Sequence, residues 1–465
     1  MAELMFHGAV EEVTGSLHLV RVDDRWVALD CGMFHGRRAE MEEKNRAWPV
    51  PPAKLSAVVL SHAHIDHSGR LPRLVRDGFD GPIYCTPATR DLCAIMLADS
   101  AHIQEEDVYY VNKRRRRKGL EPIEPLYEGD DALAAVGMMQ TVSYDRWFSV
   151  VPGLLASFVD AGHMLGSAGI YLEFAKRNGH TPSLFFSGDT GRPNKPIIRD
   201  PHPFPKCGTI ICESTYGNRD NEPVEQARAQ LVEVVQRTYA RGGKLIIPAF
   251  SVGRTQTIAY YLQEELSAGR IPPYPIYVDS PLAVDATEVF LTHPECYDQD
   301  ARALHARTGS LLGPSCCTYI RDVEESKRLH ARKEPCTILS ASGMCEAGRI
   351  RHHIKNNVEN PNNTILIAGY QAANTLGRRL ADGANEINLF NETYAVRAAV
   401  VQIHGFSAHA DRTELLRLLT PLKDESERIC LVHGEPDQRQ ALAATLREMG
   451  FPHVELPGPG HRLTL

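Results

Sequence analysis

The densest chemistry in the sequence is the stretch Ser61-His62-Ala63-His64-Ile65-Asp66-His67-Ser68-Gly69, which directly follows the apolar run 57–60. Three imidazoles and a carboxylate crowded into six positions have little structural use. Borderline zinc prefers imidazole nitrogen and carboxylate oxygen, and alternate residues leaving a strand point to one side. His62 and His64 can therefore share one ion. Asp66 and His67, at the start of the helix expected next, can turn toward a second. The competing reading is a polar surface loop with incidental histidines, which leaves the strand-then-cluster context unexplained.

Such a cluster needs rigid elements to hold it. Short apolar runs at 17–22, 26–29, 57–60, 83–85, 184–186, 210–212, 245–247, 276–278, 337–339, 365–368 and 429–432 read as strands. Several end in glycine-rich or polar loops. Helical periodicity lies between many of them, as at 224–239 and 255–268. Strands alternating with helices predict an α/β chain. A proline-rich stretch at 193–205 marks a plausible domain seam. A helix-like stretch from His102 leads into the basic run 113–118. With no aromatic residues interleaved, that run reads as a solvated helix end or loop rather than as an RNA motif.

The His-x-His-x-Asp-His pattern after a strand resembles the metallo-β-lactamase superfamily, and Leu29-Asp30-Cys31-Gly32 is similar to its first motif. Later matches are His163 in Asp160-Ala161-Gly162-His163 and Asp189 in Ser187-Gly188-Asp189-Thr190. Segments around Glu213, Arg254, Ser342, His409 and His433 then follow in an order similar to the β-CASP nucleases, relatives of the pre-mRNA 3′-end cleavage endonuclease. The resemblance implies a four-layered αββα metallo-β-lactamase domain with an inserted α/β β-CASP domain. It would comprise residues 1–212 and 403–465, with 213–402 inserted. It implies two Zn2+ per chain. One would be held by His62, His64 and His163, with Asp189 bridging to a second held by Asp66, His67 and His433. Glu213 matches the family's motif A, His409 motif B and His433 motif C. A histidine at motif C points to the RNA-processing branch.

A dinuclear centre of that kind makes hydroxide available at neutral pH, so a metal-bridging hydroxide is expected to attack the scissile phosphorus. Asp66 would orient it or accept its proton. His409, not needed as a ligand, would act as general acid, with Glu213 holding its imidazole in one tautomer. The plainer readings are a strand-end salt bridge for Glu213 and a helix-start polar residue for His409. Arg254, Ser342 and Arg378 are candidates for binding substrate phosphates: Arg254 follows Gly253 at the start of a helical pattern where backbone N–H groups are free, Ser342-Gly343 after the strand 337–339 offers the same geometry, and Arg378 follows Gly377. Ordinary strand-to-helix connections carry glycine too.

The whole chain limits these readings. Its 465 residues are 43% hydrophobic and 23% charged, which excludes disordered and fibrous classes. No apolar run reaches the ~20 residues of a membrane span. The start lacks the basic and apolar regions of a signal peptide, and the eleven cysteines form no Cys-x-x-Cys pair, so a reducing, cytoplasmic setting is expected. The net charge of −7 excludes a uniformly basic nucleic-acid binder. Residues 302–355, however, hold ten Lys or Arg against five Asp or Glu, a local basic segment suited to single-stranded RNA. The leading expectation is a zinc-dependent endoribonuclease, with 5′ exonucleolytic cleavage as a second mode. A small-molecule thioesterase or lactonase on the same scaffold is one alternative. A catalytically silent RNA-binding scaffold is the other.

Overall fold

A computed structural model describes residues 2–36, 38–176, 179–309, 311–312, 317–369, 371 and 375–465. The chain forms two compact units. One comprises Met1–Pro193, Asp200–Asp220 and His409–Leu465, and the other Asn194–Arg199 and Asn221–Ala408.

The first unit is built on two seven-stranded sheets. In one, the order from edge to edge is Arg462–Thr464, Ala2–Gly8, Leu17–Val22, Arg25–Leu29, Leu55–Val59, Ile83–Cys85, Met139–Thr141. In the other it is Val454–Glu455, Arg428–Val432, Thr209–Glu213, Ser183–Phe186, Ala168–Phe174, Leu154–Asp160, Phe148–Val151. Alternate residues of each strand point to one face. Leu4 and Phe6, Val20 and Val22, Val27 and Leu29, and Ala57 and Val59 of the first sheet thus share one buried cluster with residues of the second. These include Ala156 and Phe158, Ile170 and Leu172, Leu184 and Phe186, and Cys430 and Val432. The two sheets pack face to face on this core.

The other alternates point outward and are covered by helices. Phe185, Ile210, Cys212, Ile429 and Leu431 lie against Leu415 and Leu419 of helix Arg412–Leu419, and against Leu442 and Leu446 of helix Pro436–Glu448. On the far side, Leu74 of helix Leu71–Arg76 packs near Leu17 and Leu19. Helix, sheet, sheet, helix is the layering expected from the resemblance.

The second unit carries a six-stranded sheet in the order Thr318–Tyr319, Ile276–Val278, Thr337–Ser340, Leu245–Pro248, Thr364–Ile367, Ala399–Gln402, with every pairing parallel. Its strands are near-continuous apolar runs because parallel sheets are buried on both faces. Ile246, Ile338, Ile365 and Ile367 meet Ile350, Ile354, Leu376 and Leu380 from the surrounding helices.

One helix differs from its sequence reading. The segment legible only from His102 begins at Pro87 and runs to Arg117, capped by the Thr86 hydroxyl, which accepts from Thr89 N–H. Residues 113–117 are therefore helical. Among the described residues no helix is long and apolar enough to cross a membrane, and all ten described cysteines are free and buried.

Candidate metal centre

The first unit gathers the predicted histidines and carboxylates at the C-terminal ends of its strands. His62, His64, Asp66 and His67 follow Leu55–Val59, and His163 follows Leu154–Asp160. Asp189 follows Ser183–Phe186, Glu213 ends Thr209–Glu213, and His433 follows Arg428–Val432. His409 enters from the loop before helix Arg412–Leu419 and forms a β-bridge to Gly191, two residues past Asp189.

Two donor groups result. In the first, His64 Nδ1 lies 3.1 Å from His62 Nε2 and 3.2 Å from His163 Nε2. Asp189 Oδ2 stands 3.5 Å from His62 Nε2 and 3.6 Å from His163 Nε2. In the second, His67 Nε2 is 3.1 Å from His433 Nε2 and 3.2 Å from Asp189 Oδ1, and Asp66 Oδ2 is 3.6 Å from His433 Nε2. Tetrahedral donors 2.0–2.1 Å from zinc are about 3.3 Å from one another, close to these spacings. The two oxygens of Asp189 thus face one group each. Asp189 Oδ1 is buried and, among the described residues, receives no well-aligned hydrogen bond. Converging imidazole nitrogens around an orphaned carboxylate oxygen fit a pair of cations.

The surrounding hydrogen bonds set the tautomers. Asp30 is fully buried and sits at φ +61°. Its Oδ1 accepts Ser61 N–H at 2.8 Å, and its Oδ2 accepts the hydroxyls of Ser61 and Ser16 at 3.0 and 3.1 Å. The same Oδ2 accepts His67 Nδ1–H at 2.7 Å. With its proton given to Asp30, the Ser61 hydroxyl accepts from His62 Nδ1, 3.0 Å away. Thr215 donates to the His433 carbonyl and accepts from His433 Nδ1, both at 3.1 Å. His62, His67 and His433 are each left with a bare Nε2 aimed inward, the arrangement of a ligand imidazole oriented by outer partners. Sequence reading noted Asp30 only within a motif and passed over the roles of Ser61 and Thr215. An aspartate ending an apolar strand was the one available signal.

Electrostatics point the same way. Burial holds His62, His64 and His163 below the usual imidazole range, with His64 pushed down to about 3. Burial opposes charge on Asp189 as well, but His433, His67 and His409 outweigh it and hold the carboxyl well below its ordinary value. Burial opposes charge on His67 too, but Asp189 and Asp30 outweigh it and hold that imidazole well above its usual range. Neutral imidazoles and ionised carboxylates are the forms that bind metal, so binding at His67 would release a proton.

Glu213 and His409 form a separate pair. Glu213 is fully buried, its Oε1 accepting Thr190 N–H at 2.5 Å and its own N–H donating to Ser187 Oγ at 3.0 Å. His409 Nδ1 donates to Glu213 Oε2 at 3.1 Å, leaving Nε2 3.9 Å from Asp189 Oδ2. Burial lowers the pKa of His409, yet Glu213 and Asp189 overcome this and raise it to about 10. The His409 side chain is 21% exposed and Asp66 27%, whereas those of His62, His67, His163 and Asp189 are 2% or less. Within this cluster a substrate can therefore reach His409 and Asp66 directly.

The three phosphate candidates lie in the second unit, where Arg254 opens helix Arg254–Ser267, Ser342 follows strand Thr337–Ser340 and Arg378 lies in helix Leu376–Ala381. Arg254 Nη1 donates to the Ala368 carbonyl, Gln371 donates to the Gly343 carbonyl at 3.0 Å, and Gly377 N–H to Met344 at 3.1 Å. Some of their donors are engaged within the unit. Ser342 N–H bonds Ala347 at 3.2 Å, and Arg378 Nε pairs with Asp382 at 2.8 Å.

Comparison with known proteins agrees with this construction. The metallo-beta-lactamase superfamily matches residues 11–134, the Beta-Casp domain 255–380, and the Zn-dependent metallo-hydrolase RNA specificity domain 393–457. The chain is 34% identical to ribonuclease TTHA0252 of Thermus thermophilus over 95% of each protein. It is 31% identical to the transcription termination factor FttA of Methanosarcina mazei, over 94% of this chain and 68% of that one. An Enterococcus faecalis protein described as of unknown function shares the fold at TM-score 0.55 and 12% identity, with both chains fully covered. The chain belongs to the β-CASP family of the metallo-β-lactamase superfamily, and is a metal-dependent hydrolase.

Proposed function

We propose that this protein is a zinc-dependent ribonuclease that hydrolyses phosphodiester bonds of single-stranded RNA, mainly endonucleolytically, with 5′ exonucleolytic cleavage as a second mode. The observation that carries this reading is the Glu213–His409 pair, 3.1 Å apart and standing 3.9 Å from the shared carboxylate of two metal-binding groups. Metal ligation alone does not require it. A proton donor beside a metal centre is what departure of a ribose oxygen requires.

His62, His64 and His163 would hold one zinc, Asp66, His67 and His433 the other, with Asp189 shared. Bound there, the ions supply a nucleophile at neutral pH and neutralise phosphoryl charge. Asp66, partly exposed, orients the attacking group or takes its proton. His409 protonates the leaving oxygen from Nε2, while Glu213 fixes the tautomer through Nδ1. The relatives named as a ribonuclease and as transcription termination factors, and the RNA specificity domain match, support RNA as substrate.

The test is incubation of zinc-loaded protein with 5′-labelled unstructured RNA, alongside matched DNA and an Asp189→Ala control. Internal RNA fragments made only by the unaltered protein are the expected result. Intact RNA from protein holding two zincs would instead favour the small-molecule hydrolase.

A further inference from the structure

The basic run 113–118 takes on a different meaning once its helix is seen. Helix Pro87–Arg117 is anchored at its start, where Thr86 and Thr89 hydroxyls donate to the Gly166 carbonyl at 2.7 and 2.9 Å, in the loop that carries His163. Its last turns present two aromatic residues that sequence reading did not join to the run. Tyr109 and Tyr110 are 61% and 60% exposed, with ring centroids 5.5 Å apart. At 100° per residue, Tyr109, Tyr110, Lys113, Arg114, Arg116 and Arg117 fall within an arc of about 160°. The opposite side is tied down. Asn112 exchanges hydrogen bonds with Ile123 N–H and C=O at 2.8 and 2.9 Å, and Arg115 Nε donates to the Glu121 carbonyl.

This face crowds like charges. Lys113 and Arg117, and Arg114 and Lys118, are like charges four apart, an arrangement that destabilises a helix. Arg114, Arg116 and Arg117 lie in the last turn, where attraction to the helix C-terminus offsets part of that repulsion. Among the described residues, Lys113, Arg114, Arg116, Arg117 and Lys118 make no ion pair, and the helix's nearest acids end at Asp107. Exposed stacking surfaces beside uncompensated cations match single-stranded nucleic acid, which combines bases with phosphates.

We infer that the Tyr109–Arg117 face is an RNA-binding exosite. It rests on the proposed ribonuclease reading and adds a second place where substrate is held. From Thr89 to Arg114 the helix rises about 37 Å. An RNA strand stacked at about 3.4 Å per nucleotide covers that length in about eleven nucleotides, whereas four nucleotides span only about 14 Å. Short substrates cannot use the exosite, and long ones can.

The experiment compares the zinc-loaded protein with two variants, K113E/R114E/R116E/R117E and Y109A/Y110A. Binding is measured by anisotropy on a 20-nucleotide 2′-O-methyl oligouridylate across a salt series. Cleavage is measured on 20-nucleotide and 4-nucleotide RNA. The charge variant should bind the 20-mer at least tenfold more weakly, with the salt slope reduced by about 3, since each single-strand phosphate contact contributes about 0.7. The tyrosine variant should lose about tenfold with an unchanged slope. Both should cut the 4-mer at the normal rate. Equal 20-mer binding by all three proteins, with cleavage intact, would overturn the exosite and leave the ribonuclease reading standing. No binding or cleavage by the unaltered protein would overturn both. A loss of binding to vesicles containing phosphatidylserine, with RNA binding unaffected, would reassign the face to a membrane surface.

Discussion

Asp30 Oδ2 lies 2.7 Å from His67 Nδ1, buried at the point where the first sheet hands its strand ends to the metal-binding loop. The same carboxylate takes Ser61 N–H and Ser61 Oγ–H, and Ser61 in turn accepts from His62. One side chain thus orients an imidazole in each donor group. Asp30→Ala should lower zinc affinity roughly 10–100-fold, the usual effect of losing such an outer partner. Competition with a zinc-binding dye measures it. Unchanged affinity would mean that the loop is held by its backbone alone.

The Glu213–His409 pair should separate chemistry from metal binding. His409→Ala should lower the cleavage rate by about 10²–10⁴-fold while zinc content stays at the unaltered level. Glu213→Gln keeps the side chain's size but removes the charge that fixes Nδ1–H, so a smaller loss is expected. Elemental analysis alongside single-turnover kinetics makes the distinction. Zinc lost together with activity would reassign His409 to the ligand set.

What could be read before the structure followed the range of the interactions. His62, His64, Asp66 and His67 are neighbours in sequence, so their convergence was legible from spacing alone. Strands such as Ile83–Cys85 and Ile276–Val278 stood out as short apolar runs between breakers. Strand Leu154–Asp160 did not, because Leu155 points outward at 44% exposure and blurs its alternation. Asp30 acts on a residue 37 positions away from a left-handed backbone conformation, neither of which the sequence displays. The long helix was half hidden. Leu92, Cys93, Met96 and Leu97 bury one face, but beyond Ala101 the helix is polar nearly all round and its periodicity stops.

His18 should make the fold sensitive to mild acid. Its ring is fully buried between Phe6 and Phe186, 5.4 Å from each. Burial lowers its pKa to about 3, with Asp30 only partly opposing the shift. A depressed histidine pKa means the unfolded chain gains the proton first. Its stabilising effect is therefore whole above about pH 6.5 and is lost as pH falls toward 3, at about 1.4 kcal/mol per pH unit. Between pH 6.5 and 5 the unaltered protein should lose about 2 kcal/mol more than His18→Leu. Urea denaturation of both proteins at the two pH values tests this. Parallel losses would show that His18 carries no part of the acid sensitivity.

Asp189 should behave unlike every other ligand. Its Oδ2 faces His62 and His163, and its Oδ1 faces His67 Nε2, 3.2 Å away. His163→Ala removes a donor from the first group alone, and His433→Ala from the second alone. Each should retain about one zinc per chain after dialysis against a mild chelator, since four donors, Asp189 among them, still hold the other ion. Asp189→Ala leaves both groups short at once and sets six imidazole and carboxylate donors around missing negative charge. It should retain less than one zinc and show the larger fall in melting temperature, because bound metal stabilises only the folded chain. Plasma mass spectrometry on the three variants gives the stoichiometry. One zinc retained by Asp189→Ala, and none by His163→Ala, would place the shared carboxylate outside the bridge.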